Sequence, residues 1–169
     1  MTREEITVRK SAFAPLVAPD TRVLLLGSLP GETSLAQQRY YAHSQNRFWH
    51  LVGKVIGVDL PALDYEDRLA ALLAARIGLW DTVASARREG SLDASMRDVE
   101  ARALPELTAT LPNLRAVGFN GRKSQSIGMP QLADSGLALI PLPSSSPAHA
   151  SMRLAEKEKL WAEIGKYLS

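Results

Sequence analysis

Four short segments of the chain are almost uninterrupted in apolar residues, without the regular alternation of apolar and polar positions. They are RVLLLG (22–27), RIGLWD (76–81), LRAVGF (114–119) and LALIPL (137–142). Runs of this length without alternation are typical of strands whose two faces are both covered. The pattern therefore predicts four strands in the interior of the protein.

The longer segments between these runs carry apolar residues at three- and four-residue spacing, which predicts helices. The clearest examples are the segments 48–57, 65–78 and 149–168. We also expect helix over 91–112, interrupted near Pro105. Strands that alternate with helices indicate an α/β fold, here a three-layer α/β/α sandwich with a central, mostly parallel four-stranded sheet. We expect residues 1–169 to form a single domain.

Polar and glycine-rich residues follow each predicted strand directly. In chain order they are GSLPG (27–31), DT (81–82), NGRKS (120–124) and PSSSPAH (143–149). Parallel strands end at one edge of a sheet, and ligands of such folds bind beyond the carboxyl ends of the strands. The sequence therefore predicts that its binding chemistry gathers at this edge.

Three of these segments suggest particular ligand contacts. The glycines Gly27 and Gly31 permit a close approach of the backbone to a ligand, although the same residues also serve in a plain turn. The triple serine before a proline predicts a helix entry whose hydroxyl and N–H groups suit a phosphate, with simple capping as the alternative. The amide of Asn120 both donates and accepts, as the edge of a nucleobase requires, but an Asn-Gly pair is also a common turn.

The stretch YYAHSQNRFW (40–49) concentrates four aromatic rings in a chain that is only 6% aromatic. Histidine and side-chain amides lie between these rings. A hydrophobic core does not need such polar residues, whereas a pocket that stacks a flat, hydrogen-bonding ligand needs both kinds. We prefer core packing for Tyr40, Phe48 and Trp49, whereas the pattern alone leaves both core packing and a ligand contact open for Tyr41 and Asn46.

The composition narrows the classes of ligand. The net charge of the 169 residues is only +2, so contacts with nucleic acid must come from local clusters such as Arg87 with Arg88 or Arg122 with Lys123. The absence of cysteine excludes disulfides, thiolate-bound zinc and cysteine-held iron–sulfur clusters. The three histidines lack the spacing of metal ligands, so we expect no metal and no cofactor. Because no signal peptide or long apolar span is present, we expect a cytoplasmic protein without membrane contact.

Four fragments, in order along the chain, resemble the uracil-DNA glycosylase superfamily. GSLPG resembles its first motif, AHSQNRFW is similar to an AHPANRFW-type segment, NGRKS resembles an NGK segment, and LPSSSPAHA resembles the second motif. The combination is most similar to the hypoxanthine-DNA glycosylase branch. Leu29 stands where the mismatch-specific branch carries an asparagine that holds the attacking water, and leucine cannot do so.

The resemblance implies a role for each matching residue. Asn46 takes over the orientation of water, and Tyr41 stacks on the extruded base. The first motif and third strand then form the rest of the base pocket, and the serine segment with the basic pair after the third strand contacts DNA. The implied base-binding residues are Gly27, Ser28, Leu29, Tyr41 and Asn120. The implied DNA-binding residues are Ser144, Ser145, Ser146, Pro147, His149, Arg122 and Lys123.

The function implied by the resemblance is base excision repair of DNA. A monomeric enzyme flips out a deaminated base, hypoxanthine or uracil, and hydrolyses its N-glycosidic bond to leave an abasic site. We expect it to be associated with the nucleoid when it is bound to DNA. Two alternatives stay open: a non-catalytic module that binds damaged DNA or a nucleotide, and a serine hydrolase that uses Ser28 and His149.

Overall fold

Four parallel strands form the central sheet of the protein, seen in a computed structural model that describes residues 9–11, 13–147 and 151–169. The strands of the described part are β1 (Arg9–Ser11), β2 (Val23–Gly27), β3 (Ile77–Asp81), β4 (Val83–Arg87), β5 (Arg97–Ala101), β6 (Ala116–Asn120) and β7 (Ala138–Leu142). The central sheet has the order β3-β2-β6-β7, and every neighbouring pair in it is parallel. These are the four strands that the apolar runs predicted.

Helices cover both faces of this sheet. They are α1 (Glu32–Gln37), α2 (Phe48–Ile56), α3 (Tyr65–Ala74), α4 (Leu104–Thr108), α5 (Arg122–Gly128) and α6 (Leu154–Trp161), with 3₁₀ turns at Leu60–Ala62, Asp93–Ser95, Met129–Leu132 and Ala162–Tyr167. Side chains of β2 alternate between the two faces, since Leu25 packs with Phe48 and Trp161 while Leu26 packs with Phe119 and Leu104. The predicted three-layer α/β/α sandwich is confirmed.

A second, three-stranded antiparallel sheet was not predicted. Its strand order is β1-β4-β5. The chain passes directly from the central sheet into this second sheet, because β4 begins two residues after the end of β3. Strands β4 (VASAR) and β5 (RDVEA) contain no apolar run, so the pattern that revealed the central strands is missing. These strands are stabilised by pairing with each other, because the intrinsic β-propensity of their residues is not sufficient.

The prediction of helix over 91–112 was wrong for its first half. This segment forms the 3₁₀ turn Asp93–Ser95 and then β5 before α4 begins. Pro105 does not interrupt a helix but lies in the first turn of α4. Proline is tolerated there because its missing N–H would have no partner within the helix in any case.

The carboxyl ends of the central strands lie level with one another. The backbone N–H of Thr82 donates to the Gly27 oxygen at 2.8 Å, and that of Gly121 donates to the Leu142 oxygen at 3.0 Å. The segment after β2 contains α1. Within the described residues, no helix is long and apolar enough to cross a membrane.

Candidate active site

A cavity of about 390 Å³ opens at the carboxyl edge of the central sheet. Its size is within the range of about 300–1,000 Å³ that is usual for small-molecule sites. The loop after each of the four strands contributes to its wall. The lining residues lie in the segments 27–31, 33–34, 40–41, 91–93 and 144–147, together with His43, Asn46, Asp81 and Asn120. The prediction that the chemistry of this sequence gathers at one edge is confirmed.

The ring of Tyr41 lines this cavity with one of its faces already covered. It stacks on Phe48 with ring centroids 3.7 Å apart and an angle of 10° between the planes. The Trp49 indole N–H donates to the Tyr41 backbone oxygen at 3.1 Å. The backbone of Tyr41 has φ of 51°, which is uncommon for a residue other than glycine. A base that enters the cavity therefore meets a ring whose position is fixed from behind.

The buried aromatic neighbours of Tyr41 behave as core residues, as predicted. Phe48 and Trp49 are buried in the cluster between the central sheet and α2. Tyr40 is buried as well, and its hydroxyl donates to the Ala14 oxygen at 2.8 Å. Only Tyr41 and Tyr40 of the four rings reach the cavity.

Asn46 lies at the start of α2, beside the cavity. Its side-chain oxygen accepts a hydrogen bond from the Phe48 N–H at 2.9 Å, and its own N–H donates to the His43 oxygen at 3.0 Å. An amide oxygen has two lone pairs and an amide nitrogen carries two hydrogens, so this local hydrogen bond leaves capacity for a water molecule. The turn thus fixes the side chain that the resemblance implies as the catalytic one.

A buried arginine shapes the GSLPG loop (residues 27–31). The side chain of Arg88 donates to the backbone oxygens of Leu29 at 3.0 Å and Pro30 at 2.6 Å, and to the Asp93 carboxylate at 3.2 Å. Asp93 also accepts from the Ser28 hydroxyl at 2.5 Å. A charge that is only 1% exposed is thereby paired with a carboxylate and with carbonyl oxygens. The loop is held to the segment before β5 by these contacts.

Two residues of the GSLPG loop contribute through their size. A Cβ atom on Gly27 would lie 3.0 Å from the Asp81 Oδ1 and 3.1 Å from the Tyr41 hydroxyl, so the glycine makes room for both groups. The role of Gly27 is therefore to let the Asp81 carboxyl group and the Tyr41 hydroxyl come close to the backbone. Leu29 is 6% exposed and packs with Val83 and other apolar side chains below the loop. The side chain that replaces the water-holding asparagine is part of the apolar wall.

The serine loop (residues 143–147) is tied to β6 by a reciprocal pair. The Asn120 amide donates to the Ser145 hydroxyl at 2.9 Å, and the Ser145 N–H donates to the Asn120 side-chain oxygen at 2.9 Å. Ser145 is 1% exposed, and its backbone oxygen accepts from the Arg47 N–H. The Trp161 indole donates to the Pro143 oxygen at 3.0 Å. The loop is anchored on three sides.

This pair changes the expected roles of two residues. Asn120 uses its oxygen and one N–H in these bonds to Ser145, which leaves a second N–H and a second lone pair, and it lines the cavity. Its contact with a base edge therefore stays a prediction, beside a structural role that the sequence did not indicate. Ser145 is too buried to meet a phosphate with its hydroxyl. Ser144 and Ser146 are half-buried and joined by a hydrogen bond of 3.1 Å between the Ser146 N–H and the Ser144 hydroxyl oxygen. They and the exposed Pro147 line the mouth of the cavity.

The remaining expected DNA contacts lie outside the cavity or outside the described part of the chain. Arg122 and Lys123 begin α5, with Arg122 exposed and Lys123 half-buried, and neither lines the cavity. Their contact with DNA stays a prediction. His149 lies outside the described residues.

The sequence analysis assigned no role to Asp81, although it placed this residue at the correct edge. The carboxyl group is 3% exposed and lines the cavity, and its Oδ2 has no hydrogen-bond partner within the described residues. Burial raises the pKa of Asp81 from 3.8 to about 8. The signal in the sequence that could have identified Asp81 was its position, as a polar residue at the end of a buried apolar run. The Ser91–Asp93 wall was missed because we expected a helix there.

Comparison with known proteins agrees with this site. The profile of the Uracil DNA glycosylase superfamily matches residues 14–165. A protein of Methanosarcina barkeri (strain Fusaro / DSM 804) named hypoxanthine DNA glycosylase is 40% identical over 159 residues, which are 94% of this chain and 99% of the relative. A protein of Methanosarcina acetivorans with the same name is 37% identical over 158 residues, 94% of this chain and 99% of the relative.

A solved structure also matches. It is a solution NMR structure of a Methanosarcina acetivorans protein, provisionally named a uracil DNA glycosylase, with a TM-score of 0.85 and 37% identity. The match covers 95% of this chain and 99% of the other. The chain therefore belongs to the uracil DNA glycosylase superfamily. It is a monofunctional DNA glycosylase, a repair enzyme that removes a deaminated base from DNA by hydrolysing the N-glycosidic bond.

Proposed function

We propose that hypoxanthine is the base that this glycosylase excises, with uracil as a secondary substrate. The observation that carries the proposal is the meeting of Tyr41, Asn46 and the serine loop in one cavity, in a chain 40% identical to a hypoxanthine DNA glycosylase. A base within a duplex is out of reach of such a cavity, so it must be extruded. The unstacking cost is a few kcal/mol and is least for a mismatched or damaged base.

The extruded base lies against the free face of Tyr41. Stacking of a base on an aromatic side chain is worth about 1–3 kcal/mol and tolerates different bases, because every base has a π-face. Since Phe48 supports the ring at 3.7 Å, the ring does not have to be ordered when the base arrives. This contact captures the base, and the cavity walls choose among bases by their shape and edge pattern.

Cleavage of the glycosidic bond builds positive charge on the sugar, in an oxocarbenium-like state. Asn46 orients the water that attacks the sugar carbon, through the amide hydrogen-bonding capacity that its bond with the Phe48 N–H leaves unused. An amide is a poor proton acceptor at neutral pH, so this role is orientation and not base catalysis. The serine loop binds the flanking phosphates, whose negative charge stabilises the cation.

The test is a cleavage panel under single-turnover conditions. Duplex oligonucleotides carry hypoxanthine, uracil, xanthine or an undamaged base at one position, and alkali treatment reveals abasic sites. We expect the fastest release from the hypoxanthine duplex and none from undamaged DNA. Release of uracil without release of hypoxanthine would overturn the choice of base.

The two alternative functions differ in their products. A serine hydrolase would need an activated Ser28, but the Ser28 hydroxyl donates to Asp93 at 2.5 Å. Stoichiometric labelling of Ser28 by a fluorophosphonate would support that alternative. A non-catalytic binding module would retain deoxyinosine DNA without forming abasic product. The monomeric state and the cytoplasmic location stay predictions, which light scattering and cell fractionation test.

A further inference from the structure

The cavity is lined by a carboxyl group, that of Asp81, which has no role in the proposed mechanism. Asp81 is the last residue of β3, and its Oδ2 has no hydrogen-bond partner within the described residues. The Tyr41 hydroxyl is likewise buried and, although the Asn120 side chain lies close to it, makes no hydrogen bond of normal geometry within the described residues. Buried polar groups are almost always hydrogen-bonded in native proteins. Two such groups in one cavity indicate a missing ligand.

The position of these groups directs them toward that ligand. The Asp81 Oδ1 and the Tyr41 hydroxyl approach the same point, 3.0 Å and 3.1 Å from where a Cβ on Gly27 would be. The chain has glycine at this point, so no side chain fills the gap between them. All three residues line the cavity. A base stacked on the Tyr41 ring therefore has its edge within reach of the Asp81 carboxyl group.

The surroundings of Asp81 favour its neutral form. Burial is the largest effect, and the nearby Asp93 adds to it by repulsion, while Arg102 and Arg88 act in the opposite sense. The two arginines do not outweigh burial, and both guanidinium groups are engaged elsewhere. Arg102 donates to the Phe13 oxygen and lies over the Trp80 ring, and Arg88 is bound by Asp93 and by backbone oxygens of the GSLPG loop. The charged and titratable groups that face Asp81 from the elements packed against it are Tyr40, Tyr41, Arg88, Asp93 and Arg102.

We propose that Asp81 is a catalytic residue that donates its proton to the departing base. A purine leaves with the electron pair of the broken bond, so negative charge develops on its ring. A neutral carboxylic acid in a site closed to water is well suited to donate to such a charge, as a carboxylate is not. The inference rests on the proposed function, since it concerns the departure of hypoxanthine.

The proton balance of the step is closed. The bond between the sugar carbon and the ring nitrogen breaks, and its electron pair passes to the base. The Asp81 proton passes to a ring nitrogen of the base, which leaves as neutral hypoxanthine and leaves Asp81 as a carboxylate. Water adds to the sugar carbon and loses one proton, and one proton from solvent restores the carboxylic acid.

The experiment compares the wild-type chain with Asp81→Asn, which keeps the size and one donor but cannot transfer a proton. Single-turnover release of hypoxanthine from a deoxyinosine duplex is measured across the pH range from about 6 to about 9.5. We expect the wild-type rate to fall as the pH rises through about 8, where Asp81 loses its proton. The variant should be about 100-fold slower at low pH and show no such fall.

The control variant is Asp20→Asn, an exposed aspartate before β2 at the opposite edge of the sheet, which should retain the wild-type rate and profile. Circular dichroism verifies that both variants are folded. A variant at Asp81 that keeps the wild-type rate overturns the inference, and so does a slower variant that keeps the wild-type fall above pH 8. No release of hypoxanthine by the wild-type chain overturns the proposed function itself, which separates the two failures.

Discussion

The side-chain oxygen of Asn46 accepts a hydrogen bond from the backbone N–H of Phe48 at 2.9 Å. The same residue therefore stabilises the turn that leads into α2 and presents an amide to the cavity. Removing this side chain would affect both the stability of the turn and the chemistry of the site. Two different substitutions are needed to separate them.

The first prediction uses Asn46→Ser and Asn46→Ala. Serine can accept the same local hydrogen bond from the Phe48 N–H but lacks the amide, so Asn46→Ser should keep the thermal stability of the wild type while losing most of the single-turnover cleavage. Asn46→Ala should lose the cleavage and also about 1 kcal/mol of the free energy of unfolding, because this hydrogen bond is lost. DNA affinity should be nearly unchanged in both. Full cleavage by Asn46→Ser would remove the amide from the mechanism.

The second prediction concerns the ring of Tyr41. In Tyr41→Ala the base loses its stacking surface, which is worth about 1–3 kcal/mol. We expect a higher half-saturating enzyme concentration in single-turnover kinetics on a deoxyinosine duplex. Tyr41→Phe keeps the ring on Phe48 and removes only the hydroxyl, so it should retain much more base capture than Tyr41→Ala. Equal kinetics for the alanine and phenylalanine variants would contradict a stacking role.

The third prediction concerns the gap at Gly27. In Gly27→Ala the new methyl group lies about 3 Å from the Asp81 carboxyl and the Tyr41 hydroxyl, so these groups must move. We expect at least a roughly 10-fold loss of cleavage, because a displacement of about 1 Å in a site is costly for the rate. The matched control is Gly165→Ala, where the methyl group meets Val55 at an ordinary 3.5 Å. An unaffected Gly27→Ala would show that the gap holds no ligand.

The fourth prediction concerns the reciprocal pair of Asn120 and Ser145. Each single alanine variant leaves a buried partner without its hydrogen bond, which costs about 1–3 kcal/mol of the free energy of unfolding. The double variant should cost less than the sum, because the second change removes a group that the first has already left unpaired. Denaturant unfolding measures all three. Ser126→Ala, which removes only a local bond to the Lys123 oxygen, is the control.

The fifth prediction follows from the raised pKa of Asp81. Between about pH 4 and about pH 8 the unfolded chain releases a proton that the folded chain keeps, so each rise in pH favours unfolding through this group. Asn at this position cannot titrate. The melting temperature of Asp81→Asn relative to the wild type should therefore increase across this pH window. A difference between the two proteins that is independent of pH would contradict the raised pKa.

The central sheet could be predicted because all four of its strands carry continuous apolar runs, and three of them, β2, β3 and β6, are almost completely buried. The carboxyl edge followed from the polar residues after each run. The sheet of β1, β4 and β5 could not be predicted, since VASAR and RDVEA gain their structure from pairing with each other.

The residues of the site divide in the same way. The aromatic segment 40–49 could be recognised from local composition, and the family resemblance selected Tyr41 and Asn46 within it. The bond between Asn120 and Ser145 could not be predicted, because it depends on two loops that meet only in the folded chain.

The buried Arg88 makes the GSLPG loop depend on a distant part of the chain. It joins the backbone oxygens of Leu29 and Pro30 across sequence separations of 59 and 58 residues. Contacts of such long range require that the entropy cost of closing the intervening chain be overcome. The loop beside the base cavity therefore owes its shape to a side chain that follows β4, and a change in the segment after β4 can alter the cavity although it lies far away in the sequence.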